Sequence, residues 1–439
     1  MPDPIKVSAT TGWLNQQRIR RQALLLAAAL WLGYAVTLAT PGMRDRFGHL
    51  KGADFLHAYI LGTVALEHRG DALYDARAQR EIGEQRVPES AGDYFLPVYG
   101  PQYSLIWAPL VWLSYGWAAA IWMLLSAAIY AACCYSVWQT CPNLHAYGTT
   151  VALAAAAFPG FFALITFGQN SALALACFTG AYFALRARRE VLAGLCLGLL
   201  AYKPQLAVVA ACVFVAACVW PRNAAAVSEG EHRLARTTSL GACKVVLGAA
   251  LSVLAQLSAA WAWYGARPLV SYAHVLTRLG LTGNGSMATI LEPKPYLMHS
   301  LRAFWNLLLP WPSVAFTLYA LTAAAAIALA IWSWSRPEPL ENRFAVMLLA
   351  TVLVAPHLTV YDLVILAPAF LWIGDSLQTH AAKRLAWLLY LAYVLPFAGP
   401  LARWTHLQLS VIVLAALVLS VGVGFWTGRE RAHTLGKLA

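Results

Sequence analysis

Eight polar side chains stand at odds with apolar surroundings in this chain: Asp54, His57, Gln169, Asn170, Lys203, Gln205, His357 and Asp362. A carboxylate, imidazoles and an ammonium are the groups that take a proton from a hydroxyl or balance an anionic leaving group. The stretch Lys51-Gly52-Ala53-Asp54-Phe55-Leu56-His57-Ala58-Tyr59 puts an acid and a histidine three positions apart, on one face of a helix. Asp54 there reads as a general base, and His57 as its orienting partner or a surface residue. Each of these residues also has a plainer reading. Asp54 could favour the dipole of the helix it opens, and Asp362 that of its own helix. Gln169 and Asn170 could form a polar turn, and Lys203 could snorkel to a membrane surface. His357 could be an interfacial histidine. The sharper reading of Lys203 is charge pairing with a phosphate at the membrane edge.

The elements that must position these groups are membrane spans. The chain has 439 residues, 60% of them hydrophobic and 11% charged, with mean hydropathy +0.60. A soluble domain carries about 25% charged residues, so an all-α, polytopic membrane protein is expected. The net charge of +12 and the basic pI do not point to nucleic acid, because Lys and Arg cluster in short loops between apolar runs. The eight cysteines show no metal-type spacing and read as small core hydrophobes rather than disulfides. No metal or other cofactor is expected.

The basic Arg18 to Arg21 precedes an apolar run at 23–40, read as a signal anchor with a cytoplasmic N-terminus. Residues 41–115 form a long first outer loop. Helices are expected there at Ala53–His68 and Asp75–Arg86, lying along the membrane surface, and the Pro-framed piece Tyr103–Leu113 is too short to span. Spans two to seven occupy 116–260: 116–138, 149–166, 170–186, 191–202, 205–220 and 239–260. A second outer loop covers 261–311 and includes Gly283-Asn284-Gly285 and Glu292. Spans eight to twelve follow within 312–427, at 312–335, 344–356, 361–378, 385–398 and 407–427, before a cytoplasmic tail at 428–439. This single domain of about 12 spans puts both termini inside, and Arg186, Arg222, Arg233, Arg236, Arg336 and Lys383 on the inner side. It also brings the eight polar residues towards one face, the outer one.

In order along the chain stand an outer-loop Asp54, Gly70-Asp71-Ala72-Leu73-Tyr74, Tyr99-Gly100-Pro101, Phe167-Gly168-Gln169-Asn170, Ala201-Tyr202-Lys203-Pro204-Gln205 and Ala355-Pro356-His357. Over roughly residues 50–370 this resembles glycosyltransferase family 87, membrane mannosyl- and arabinofuranosyltransferases of the GT-C class. The resemblance implies a polyprenyl-phosphate sugar as donor, a lipid-linked or glycan acceptor, and membrane lipids as surroundings. It implies Asp54 as catalytic base, Lys203 against the donor phosphate, and His357 as the family's late histidine. Gln169, Asn170 and Gln205 would then hydrogen-bond sugar hydroxyls, and Tyr59, Tyr74, Tyr99 and Tyr103 would stack on sugar or line a lipid groove. No Asp-x-Asp or Glu-x-Asp pair stands beside Asp54, which departs from metal-dependent versions. The expected protein is a periplasm-facing hexosyl- or pentosyltransferase of a bacterial inner membrane, mannose-like, inverting. The competing readings are a transporter or flippase of a lipid-linked substrate, and a surface-polysaccharide polymerase or ligase.

Overall fold

The computed structural model describes residues 14–93, 95–219, 229–281, 294–379 and 382–423, without the side chains of 229–238 and 278–281. Arg222, the side chains of Arg233 and Arg236, the Gly283-Asn284-Gly285 turn, Glu292 and the 428–439 tail lie outside the described residues. All regular structure among them is helical. In order the helices are α1 (Gln16–Leu38), α2 (Phe55–Leu66), α3 (Ala76–Arg86), α4 (Pro101–Trp107), α5 (Tyr115–Trp138), α6 (Gly148–Ala156), α7 (Pro159–Phe167), α8 (Ser171–Arg186), α9 (Glu190–Gly198), α10 (Pro204–Val219) and α11 (Glu229–Tyr264). There follow α12 (Ala266–Leu281), α13 (Leu301–Leu308), α14 (Pro312–Ser335), α15 (Leu340–Val354), α16 (Ala367–Leu377), α17 (Lys383–Val394), α18 (Ala402–Thr405) and α19 (Leu409–Gly422).

Among the described residues, six stretches are long and apolar enough to cross a bilayer: Gln16–Leu38, Tyr115–Trp138, Ser239–Tyr264, Pro312–Ser335, Val360–Leu377 and Lys383–Thr405. Pro142–Ala156 and Pro159–Phe167, bent by 45°, add a seventh if they cross as one. The chain is therefore a multi-pass membrane protein. The other expected spans are shorter helices. α8 has 16 residues, α15 has 15 and α19 has 14, below the length of about 20 that crosses the hydrocarbon core upright.

The expectation of a surface helix after Asp54 is corrected. Every residue of α2 from Phe55 to Ala65 is buried. Its sequence, FLHAYILGTVAL, has no charged residue and no polar stripe, so it fits a core rather than an interface. α4 and the 3-10 turn Ala108–Trp112 cover it, so the Pro-framed piece forms a lid on α2. α3 forms within the second expected stretch, with Gln79, Ile82 and Gly83 buried, and is capped by Asp75, whose carboxylate accepts from Arg77 N–H and Ala78 N–H. α15 is likewise buried without a break, from Phe344 to Val354, against α14, α16 and α19. A second correction concerns the cysteines: Cys218 of α10 and Cys243 of α11 are joined as a disulfide, Cα to Cα 5.2 Å.

The segment before α13 is fastened across the fold. His299 is fully buried; its Nδ1 lies 2.7 Å from Ser410 Oγ, and its backbone N–H donates to Leu358 O. Gln408 donates to the carbonyls of Tyr296 and Met298. Burial pushes the His299 imidazole down to about 4. Since this folded value lies below the unfolded one of about 6.5, the unfolded chain takes the proton first. His299 therefore costs nothing above about pH 6.5 and removes stability as pH falls towards 4, by up to about 3 kcal/mol. Thermal unfolding of wild type and His299→Gln in detergent between pH 7.5 and 4.5 checks this. The wild type should lose more Tm than the variant on acidification, and parallel losses would rule the effect out.

Candidate active site

Three loops meet around Asp54. α7 ends at Gly168, whose φ of +71° is left-handed and suits glycine. A Cβ there would lie 2.9 Å from Phe55 Cβ, so the absence of a side chain lets the turn approach the start of α2. The approach is fixed by the Asp54 N–H, which donates to Phe167 O at 3.0 Å. From α5, Tyr115 OH donates to Gly52 O at 2.8 Å and Trp122 Nε1 to Gln169 O at 3.2 Å. Gln169 is thereby aimed at Asp54, and its Nε2 donates to Asp54 Oδ2 at 2.6 Å.

Asp54 occupies the N-cap of α2, yet its side chain caps nothing. This answers the plainer reading: the carboxylate is not spent on its own helix. Burial raises its proton affinity above the usual carboxylate range; the Gln169 hydrogen bond and Lys203 oppose this, and Asp362 adds to it. A carboxylate so poised is a stronger base than one in water.

Lys203 departs from its plainer reading. It follows the 3-10 turn Leu199–Tyr202 and is 5% exposed, so it does not snorkel. Its Nζ donates to Asp362 Oδ1 at 2.8 Å and to Ser171 Oγ at 3.1 Å. Ser171 Oγ donates to the same Asp362 oxygen at 2.5 Å. Asp362 Oδ2 accepts from Thr359 N–H and Oγ1, both at 3.3 Å, closing a capping box at the 3-10 turn Val360–Leu366. The capping reading of Asp362 holds, but with only half of its carboxylate. On the Lys203 ammonium, burial works against the proton; Asp362, Tyr99 and Asp54 together outweigh it, so Lys203 stays charged. Removing either partner of such a pair strands the other charge, at about 3–5 kcal/mol.

Asn170 donates to Tyr103 OH at 2.5 Å and Tyr99 OH at 3.4 Å, and its Oδ1 is buried without a partner. Tyr99 stacks on Tyr103 at 4.2 Å, and Tyr103 on Tyr202 at 5.6 Å. His357 follows α15. Burial lowers its proton affinity, Asp362 opposes this, and Lys203 and Arg302 add to it; its Nδ1 is buried without a partner. Ser300 Oγ donates to Pro356 O at 3.2 Å, which brings the start of α13 to the same spot.

The side-chain hydrogen bond to the Asp54 carboxylate comes from Gln169, and the remaining sequence candidates make other contacts. His57 stacks on Phe95 at 5.1 Å and leans on Tyr99 at 5.4 Å, which places its ring against the tyrosine stack. Tyr59 OH donates to Leu113 O and Tyr74 OH to Tyr99 O; both hold backbone. Gln205 is half-buried in the first turn of α10. Ser171 and Tyr361 were missed. Tyr361 places its ring 5.4 Å from Lys203 Nζ, and its only sequence signal was its position beside Asp362.

The fold and the site thus define a multi-pass, all-helical membrane protein whose loops gather a capless carboxylate, amides, a charged lysine and a neutral histidine. The model of glycosyltransferase family 87 matches residues 97–356, more than half of the chain, and the chain belongs to that family. It is therefore a membrane glycosyltransferase. Tyr99, Gln169, Asn170, Lys203 and Gln205 fall inside the match; Asp54, His57, Tyr59 and Tyr74 precede it, and His357 lies one residue beyond it. No match was found among curated proteins or among solved structures.

Proposed function

We propose that the protein transfers a hexosyl or pentosyl unit, mannose-like, from a polyprenyl-phosphate sugar to a lipid-linked or polysaccharide acceptor. The reaction takes place at the outer, periplasmic face of a bacterial inner membrane, within a twelve-span GT-C type fold that has both termini inside. The observation that carries this is the Asp54 carboxylate: half-buried, held by Gln169 and not used as a cap. The acceptor oxygen attacks the anomeric carbon as the bond from that carbon to the phosphate oxygen breaks. The hydroxyl proton passes to Asp54, and the electron pair leaves with polyprenyl phosphate. His357, neutral near pH 7 because burial lowers its proton affinity, donates an N–H to the departing phosphate. Asn170 and Gln205 bind sugar hydroxyls beside the stacked Tyr99 and Tyr103. One displacement inverts the anomeric centre.

Membranes from cells expressing the chain, given radiolabelled polyprenyl-phosphate mannose or GDP-mannose, test the reading. Label should move from the polyprenyl donor into a lipid or glycan product of inverted configuration. Transfer from the nucleotide sugar alone, or retained configuration, would overturn it.

A further inference from the structure

We infer that Asp362 is a positioning residue for transfer: it holds the Lys203 ammonium as the counter-charge of the Asp54 base and withholds it from the donor phosphate. This rests on the reading of Asp54 as base. Asp362 cannot swing aside, since Thr359 N–H, Thr359 Oγ1 and Ser171 Oγ all donate to it besides Lys203. Those donors come from three places in the chain, so the carboxylate is fixed from several directions. Two of the three ammonium protons of Lys203 are committed, to Asp362 and Ser171, and the Tyr361 ring lies 5.4 Å away. At 5% exposure, Lys203 offers a phosphate little room.

Charge points the same way. One ammonium stands among two carboxylates, Asp54 and Asp362, and both feel it. A donor phosphate brought to Lys203 would meet two carboxylates that already act on that ammonium. By contrast, the ammonium favours the ionised form of Asp54, and Asp362 offsets that pull. The groups that face Asp54 are Lys203 from the turn before α10, Asp362 and Tyr361 from the turn Val360–Leu366, and Tyr115 from α5. His357 faces Asp362, Lys203 and Arg302. Lys51, on the Asp54 loop itself, is tied to the carbonyls of Thr40 and Gly42. Asp362 and Lys203 are thus the charged pair whose removal shifts the base in opposite directions.

The test is a pH profile of kcat/KM, with donor KM, for full-length protein in membranes using polyprenyl-phosphate mannose. Asp362→Asn should move the acidic limb to lower pH and reduce kcat about tenfold, as a weaker base transfers the proton less well, with donor KM within about twofold. Lys203→Gln should move the limb to higher pH, again with donor KM nearly unchanged. A limb unmoved in a folded Asp362→Asn protein overturns the inference, because a merely structural residue would lower activity without moving it. If that variant does not fold, the double variant Lys203→Gln/Asp362→Asn strands no charge. A donor KM near wild type in the double supports the inference; a tenfold rise in it, or in Lys203→Gln, assigns Lys203 to the phosphate and overturns it. Asp54→Asn, run alongside, separates the two readings. Near-normal turnover there removes the base itself, whereas a dead Asp54→Asn with an unmoved Asp362→Asn limb removes only the role of Asp362.

Discussion

Asp54→Asn should lower transfer about 10²–10⁴-fold, the contribution of a positioned base, while the protein stays folded. The asparagine keeps the shape of the side chain, and its amide oxygen still accepts from Gln169 Nε2. What disappears is the ability to hold the acceptor proton. Stability should move the other way. The folded state binds the Asp54 proton more tightly than the unfolded chain does, because burial raises its proton affinity. A raised folded value means stability that is present below the unfolded value of about 3.9 and lost as pH rises through the folded one. At neutral pH the ionised Asp54 is therefore a cost, and the neutral amide relieves it. The variant should be inactive yet melt no lower than wild type, the pattern of a residue kept for chemistry. Activity of the wild type should rise with pH along a limb above the usual carboxylate range, since the base works only when ionised. Radiometric transfer in membranes and fluorescence-detected melting in detergent measure the two sides. Near-normal turnover with normal expression removes Asp54 from the base role, and a Tm drop of several degrees would show that the carboxylate supports the fold.

Local properties were legible in the sequence. The expected span 312–335 and the helix Pro312–Ser335 coincide, and 116–138 differs from Tyr115–Trp138 by one residue, because length and apolar content decide them. The order of loops also put Asp54 and Gln169 towards one face, and there they meet although 115 residues separate them. α2 was misread because an uncharged twelve-residue stretch flanked by polar sequence does not reveal what covers it. The cover is Trp107 and Val111, whose atoms a Cβ at Gly62 would strike. The Lys203–Asp362 pair, 159 residues apart, was missed as a pair even though both members had been noted. The usable signal was physical: an acid and a base, each set among apolar residues of a membrane protein, are each other's most economical partner. The same holds for Gly194 and Gly198, four apart on α9, a spacing that lets two helix backbones approach closely.

That spacing carries the second large effect. A Cβ on Gly194 would lie 2.0 Å from Val245 O and 2.8 Å from Ala249 N, and one on Gly198 would lie 2.5 Å from Ala249 O. From the other side, a Cβ on Gly248 would lie 2.2 Å from Val191 O. α9 and α11 therefore touch backbone to backbone, and no rotamer change can relieve a collision with a carbonyl. In a bilayer the attraction between helices comes from packing and polar contacts rather than from expelling water, so lost contact is not made up elsewhere. Gln256 of α11 closes the crossing by donating to Gly198 O at 2.9 Å. Gly194→Ala should cost at least about 3 kcal/mol, the upper end of overpacking penalties, and Gly194→Val should abolish folded protein. The consequence reaches the site, because α9 continues through Leu199–Tyr202 into Lys203. Any residual Gly194→Ala protein should therefore lose activity along with stability, whereas Asp54→Asn loses activity alone. Gly33→Ala, where a Cβ meets nothing within 4 Å, is the control and should melt like wild type. Monodisperse yield and Tm in detergent decide it: a Gly194→Ala protein that matches the Gly33→Ala control would mean that α9 and α11 are further apart than the backbone contact requires.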